Sequence, residues 1–176
     1  MEWFAAVPLA LLIIALGSIV VQTLRVGISP MPSSRAAVTA MLSLVPADAS
    51  GEILELGAGW GSLALALAQH APAARIIAWE SSPAPYAVLW LRARLSRHKN
   101  LEVHFGDFAR QSLTKAAHVV CYLWPGAMAV LGERFRRELQ PGARVVSNTF
   151  GLRGWSPEAQ LELDDVYRTR IYRYVR

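Results

Sequence analysis

The densest chemistry in the chain lies in seven consecutive residues, Glu55-Leu-Gly57-Ala58-Gly59-Trp60-Gly61. Glycine at alternate positions permits a tight turn at positive φ and bares the backbone N–H groups, so a ligand can approach the main chain unobstructed. The motif follows an apolar run at residues 53–56 and precedes a helical pattern at 62–69, the setting in which such turns cradle nucleotides. Alone, a turn of this kind is equally compatible with a purely structural role. Twenty-five residues after Glu55, Trp79-Glu80-Ser81 ends a second apolar run, where an acidic side chain can accept hydrogen bonds from ribose hydroxyls. A third run ends in Gly106-Asp107-Phe108. Its carboxylate can take the exocyclic amine of an adenine, and its ring can lie on the base, although Gly-Asp by itself is only a turn signal. Three loops in this order, each with an adenosine-compatible group, are more specific than any one of them. A nicotinamide dinucleotide would use the same acid at Glu80. Its fingerprint, however, requires Gly or Ala three residues after the second glycine, and that position is Ser62.

A fourth run leads into Tyr122-Leu-Trp124-Pro125. These aromatics suit either the rim of an entrance or the core, and Pro125 suits the first position of a helix. His70, His98, His104 and His118 are scattered without metal-ligand spacing, so no metal is predicted. No serine stands in a Gly-x-Ser-x-Gly elbow, which removes support for hydrolysis. Cys121 is alone, so the chain has no internal disulfide framework.

The elements that must position these loops alternate along the chain. Residues 53–56, 75–79, 101–105, 118–123 and 144–147 read as strands, and 62–69, 83–97 and 127–139 as helices, with a turn at Pro141-Gly142. Alternating strands and helices imply a parallel sheet with binding loops at the carboxyl ends of its strands. Ser33 or Ser34 caps an earlier helix whose Val38, Met41, Leu42 and Val45 follow helical spacing up to Pro46. Near the C-terminus, residues 161–163 and 171–175 alternate apolar and polar side chains, as half-exposed antiparallel strands do. The fold class expected is therefore α/β, five parallel strands closed by an antiparallel pair.

With 176 residues, 53% of them hydrophobic, the chain holds one catalytic-sized domain and one extra element. The apolar excess sits at residues 3–24, which carry no charge and, as a helix rising ~1.5 Å per residue, would cross a hydrocarbon layer of ~30 Å. We expect a transmembrane anchor at 1–25, a linker and helix at 26–50, and the catalytic domain at 51–176. A buried helix of the domain is the alternative reading of the run, and a cleaved signal is disfavoured by Glu2 and by its length. Arg25 and Arg35 follow the run and no basic residue precedes it, which places the domain on the cytosolic side of a single-pass protein. The net charge is +5, with basic clusters at 92–99, 134–137 and 168–176. They read first as solvated surface, next as a face drawn to anionic lipid. Nucleic-acid binding is disfavoured, because no aromatic platform is interleaved with them.

Glu55-Leu-Gly-Ala-Gly-Trp-Gly61, Ala78-Trp-Glu80 and Gly106-Asp-Phe108, in that order, resemble the S-adenosylmethionine site of class I, seven-strand methyltransferases over residues 51–175. The resemblance implies a Rossmann-like methyltransferase sandwich with S-adenosyl-L-methionine as cofactor. It places Gly57, Ala58, Gly59, Trp60 and Gly61 at the methionine part, Glu80 and Ser81 at the ribose, Gly106, Asp107 and Phe108 at the adenine, and Glu55 either orienting the loop or meeting the ligand's amino group. Tyr122-Leu-Trp-Pro125, Pro30-Met-Pro32-Ser33 and residues 141–147 leading to Gly154-Trp155 resemble more narrowly the small membrane-bound lysine methyltransferases whose mitochondrial members modify the adenine nucleotide translocase and the ATP-synthase c-subunit. Trp60 stands where that family usually has Asp, and Asn148 where His is expected. By this resemblance Pro32, Ser33, Tyr122, Trp124 and Asn148 are candidates for substrate contact, with Tyr122, Trp124 and Pro125 as positioning residues, and the acceptor is a lysine amine of a membrane-associated protein. A lipid or membrane-soluble small molecule is the second acceptor class, and a catalytically inert cofactor-binding module the third reading.

Overall fold

The computed structural model describes residues 33–176 together with Gly17. The rest of the expected span at 3–24, the linker and Pro32 lie outside the described residues. Among the described residues no helix is long and apolar enough to cross a membrane.

The chain runs α1 (Arg35–Ser43), β1 (Gly51–Leu56), α2 (Ser62–His70), β2 (Ala74–Glu80), α3 (Pro83–Ser96), β3 (Leu101–Phe105), a short 3-10 turn (Phe108–Arg110), β4 (Ala116–Cys121), α4 (Pro125–Glu138), β5 (Arg144–Asn148), β6 (Ala159–Glu162) and β7 (Arg170–Val175). Their start signals are those the sequence carries. Ser34 accepts from the Ala37 N–H at 3.1 Å and so caps α1. Pro83 and Pro125 stand at the head of α3 and α4, where a missing N–H costs nothing.

The strands form one sheet in the order β3-β2-β1-β4-β5-β7-β6. β1 to β5 are mutually parallel, and β7 inserts antiparallel between β5 and β6. The order reverses between β1 and β4, which opens a crevice at their carboxyl ends. Period-two alternation sends Ile53, Ile76, Val120 and Val146 to one face, against Met41 of α1 and Leu67 of α2. Leu54, Leu56, Val119 and Val145 go to the other face, against Met128, Leu131 and Phe135 of α4. Each fully buried side chain of this size contributes about 1.5–3 kcal/mol. α1 is part of this core, with Met41 fully buried, so the folded unit begins before residue 51.

Most boundaries differ from expectation by one or two residues. β4 ends at Cys121 and leaves Tyr122 and Leu123 in the loop, because Leu123 turns inward to fill the space that a Cβ on Gly57 would occupy. β6 is Ala159–Glu162, where alternation marked 161–163.

Candidate functional site

The glycine turn caps the carboxyl end of β1 with Gly57, Gly59 and Gly61 all at positive φ, +76°, +54° and +83°. Their surroundings differ. A Cβ on Gly57 would come within 2.7 Å of Leu123 Cδ2, and one on Gly61 within 2.3 Å of Leu89 Cδ1. These two glycines let the turn press onto the body of the domain. A Cβ on Gly59 meets nothing within 4 Å, so that residue faces open space where a ligand's polar part can lie against the backbone. The Gly57 and Ala58 N–H groups both donate to the Trp79 carbonyl, at 3.0 and 2.9 Å. Half-buried Trp60 presents its own carbonyl to the guanidinium of Arg92 on α3.

Glu80, at the end of β2, is buried and fastens this turn. Its Oε2 accepts from the Gly59 N–H at 2.7 Å and its Oε1 from the Ser82 N–H at 2.6 Å. Each carboxylate oxygen retains a second lone pair, so ribose hydroxyls can join these bonds. Ser81 is half-buried beside it. Glu55 is also buried, and its Oε2 has no hydrogen-bond partner. Burial first, and the nearby Glu80 charge second, hold its carboxyl well above the ordinary carboxylate range. A buried acid with one oxygen left unpartnered two residues before Gly57 fits a cationic ligand group, such as the ammonium of a methionine moiety.

The loop after β3 departs in part from the sequence reading. Gly106 donates its N–H to the Glu80 carbonyl at 3.0 Å, tying this loop to the previous one. Asp107 caps the 3-10 turn by accepting from the Ala109 N–H at 2.8 Å. Its half-exposed side chain leaves the other oxygen 3.9 Å from Arg110 and open to a ligand amine. Phe108, expected to stack on a base, is instead 8% exposed and packed with Leu54 and Leu113. The cap folds it inward as a floor beneath the loop, while Phe105, 53% exposed, is the open ring nearby.

Two residues of the site carry no motif. Arg134, read from sequence as part of a solvated basic cluster, has only 12% of its side chain exposed. It donates to the carbonyls of Ala109 and Gln111 while its fork holds Glu138 through two 2.8 Å bonds. It therefore clamps the Asp107 loop to α4, and its i,i+4 spacing from Glu138 is the one signal in the sequence that could have found it. Arg92 braces the glycine turn through Trp60 with no such signal.

After the carboxyl end of β4 and at the head of α4, Tyr122 and Trp124 are half-buried and Pro125 is exposed. The Trp124 indole folds back over Gly126. Asn148, at the end of β5, is buried. Its Nδ2 donates to Ser33 Oγ at 3.5 Å, joining residues far apart in sequence, and its Oδ1 accepts from Thr149 Oγ1 at 3.0 Å. Thr149 itself sits at φ +65°, a costly position for a β-branched residue. A Thr149 N–H to Arg170 carbonyl bond of 2.7 Å holds it there. His118 lies three residues before the end of β4 and so is remote from the rim; burial, then Arg144 and Arg173, lower its pKa. Among the described residues no cluster of acids, His or Cys is suited to a metal.

Known proteins resemble this chain in sequence and in fold. Residues 55–159 match the model of the ANTKMT methyltransferase domain. A protein-lysine N-methyltransferase of Saccharolobus islandicus (strain REY15A) is 32% identical over 71 residues, 40% of this chain and 44% of that protein. The mouse adenine nucleotide translocase lysine N-methyltransferase is 31% identical over 110 residues, 62% of this chain and 48% of that protein. The chain thus spans about half the length of each relative. Among solved structures, an RNA methyltransferase from Salinibacter ruber in complex with S-adenosyl-L-homocysteine superposes with a TM-score of 0.74 at 26% identity, covering 82% of this chain and 93% of that one. With the glycine turn, Glu80 and the Asp107 loop all inside the matched segment, the chain belongs to the ANTKMT methyltransferase domain family, within the class I S-adenosylmethionine-dependent methyltransferases.

Proposed function

We propose that the chain transfers the methyl group of S-adenosyl-L-methionine to a lysine amine of a membrane-associated protein. The observation that carries the cofactor is the open space over Gly59, whose N–H is held by Glu80, in a turn that follows the unpartnered Glu55 Oε2. Bound there, the cofactor supplies a methyl group on a sulfonium sulfur, open to in-line attack. The open Gly59 backbone and Glu55 would hold the methionine part, Glu80 the ribose hydroxyls and Asp107 the adenine amine. At the acceptor side an apolar rim built from Tyr122, Trp124 and Trp60 would disfavour a charged amine by desolvation and so lower its pKa. Positioning the neutral amine about 3–3.5 Å from the methyl carbon then supplies most of the acceleration, and the proton lost by the amine goes to solvent.

A lysine acceptor is supported by the two relatives named above, both lysine N-methyltransferases. A membrane setting is supported by the uncharged run at 3–24, which with Arg25 and Arg35 after it favours a domain on the cytosolic side. Tethering would raise the effective concentration of acceptors in the same membrane. The test is incubation of the full chain with methyl-labelled S-adenosylmethionine and native membranes, followed by fractionation. Label on lysine Nζ in membrane proteins is expected. Label extracted with lipid, or recovered in RNA, replaces the acceptor; no label despite bound cofactor marks an inert binding module.

A further inference from the structure

We infer that the outward face of α3 is a docking surface for an anionic lipid bilayer. α3 buries only Pro85 and Leu89 among its fourteen residues. At 100° per residue, Val88, Leu91 and Leu95 share one arc with Trp90 and Arg94, and all five are exposed, Leu95 to 72% and Leu91 to 52%. A helix apolar on both its packed and its outward side is normally covered on both, and an apolar surface this continuous marks an interaction site.

Charge identifies the occupant. No acidic residue stands between Glu80 and Glu102, while Arg94, Arg97 and Lys99 are exposed along the helix and its end. The Arg94 guanidinium lies 5.2 Å over the Trp90 ring, keeping a cation and an interfacial aromatic side by side. Aliphatic side chains within an arc of cations match the boundary between acyl chains and anionic head groups. Docking here would also set the site's orientation, because α3 is wired to the glycine turn. Its N-cap Ser82 N–H donates to Glu80, and its Arg92 holds the Trp60 carbonyl.

The test uses the full chain with a solvatochromic probe on Leu91→Cys, and a control probe on Glu133→Cys, which is exposed on α4 at the opposite face of the sheet. The native Cys121 is buried, its thiol pushed up to about 12, and does not compete for label. In vesicles of phosphatidylcholine and phosphatidylglycerol carrying nitroxide-labelled lipid, the probe at 91 should lose roughly half its emission or more while the probe at 133 keeps its own. Arg94→Glu with Arg97→Glu should relieve that quenching, as should high salt. Equal emission at both sites overturns the proposal. So does a probe at 91 already shielded from an aqueous quencher without vesicles, which would mean that a second copy or the chain's own apolar run covers the face. Undiminished quenching in pure phosphatidylcholine, or in the charge-reversed variant, overturns the anionic assignment.

Discussion

At the scale of single residues, the three glycines separate folding from ligand binding. Gly61→Ala meets Leu89 and adopts a disfavoured φ, so it should cost about 2–4 kcal/mol of stability, read from denaturant melts. Gly59→Ala meets nothing and should cost only about 1–2 kcal/mol for its backbone. Its methyl would fill ligand space, so cofactor affinity should nonetheless fall by roughly two orders of magnitude; unchanged affinity would move the ligand elsewhere. Glu80→Ala removes bonds that also hold the turn, and should weaken cofactor binding by a few kcal/mol at most, with titration calorimetry as the measure. Glu55 has the opposite pH signature from most carboxylates. Because its folded pKa is raised, the stability it contributes is complete below its unfolded value and is lost as pH climbs through the folded value. Glu55→Gln should flatten that loss in thermal melts run from acid to alkaline pH. If a ligand ammonium ionises this acid, cofactor binding should release protons, seen as a dependence of binding heat on buffer. The glycines and the acids at 55, 80 and 107 were legible from type and spacing, because loops at strand ends need particular residues. The inward turn of Phe108 was not, since it depends on a cap that sequence shows only as Gly-Asp.

At the scale of elements, helices and strands fell where periodicity and start signals put them, because Ser34, Pro83 and Pro125 act locally. The 3-10 turn is not legible in the sequence, because beside the Asp107 cap it is held by Arg134 on α4, distant in sequence. Arg134 also holds Glu138 far below its usual range, at about 2, chiefly through their hydrogen bonds. A depressed acid contributes stability above its unfolded pKa and loses it as pH falls toward the folded one. Glu138→Gln should therefore cost roughly 1 kcal/mol at neutral pH and nothing in strong acid. Arg134→Met should lower the melting temperature and weaken cofactor binding up to about tenfold by freeing the Asp107 loop; intact affinity would make the clamp purely structural.

At the scale of the whole molecule, the sequence supplied the strands but not their spatial order. Neither the insertion of β7 between β5 and β6 nor the meeting of Ser33 with Asn148 follows from local pattern, since both are products of long-range packing. That order creates the reversal point between β1 and β4, which brings the cofactor loops beside the Tyr122–Trp124 rim. All of these roles require that the crevice hold S-adenosylmethionine. The most direct test is calorimetric titration of the folded full chain with S-adenosylmethionine and, separately, with NAD. Binding of the first alone, with a Kd on the order of micromolar, is the predicted result. A folded chain that gives no heat with S-adenosylmethionine, or that takes NAD as well, would contradict it.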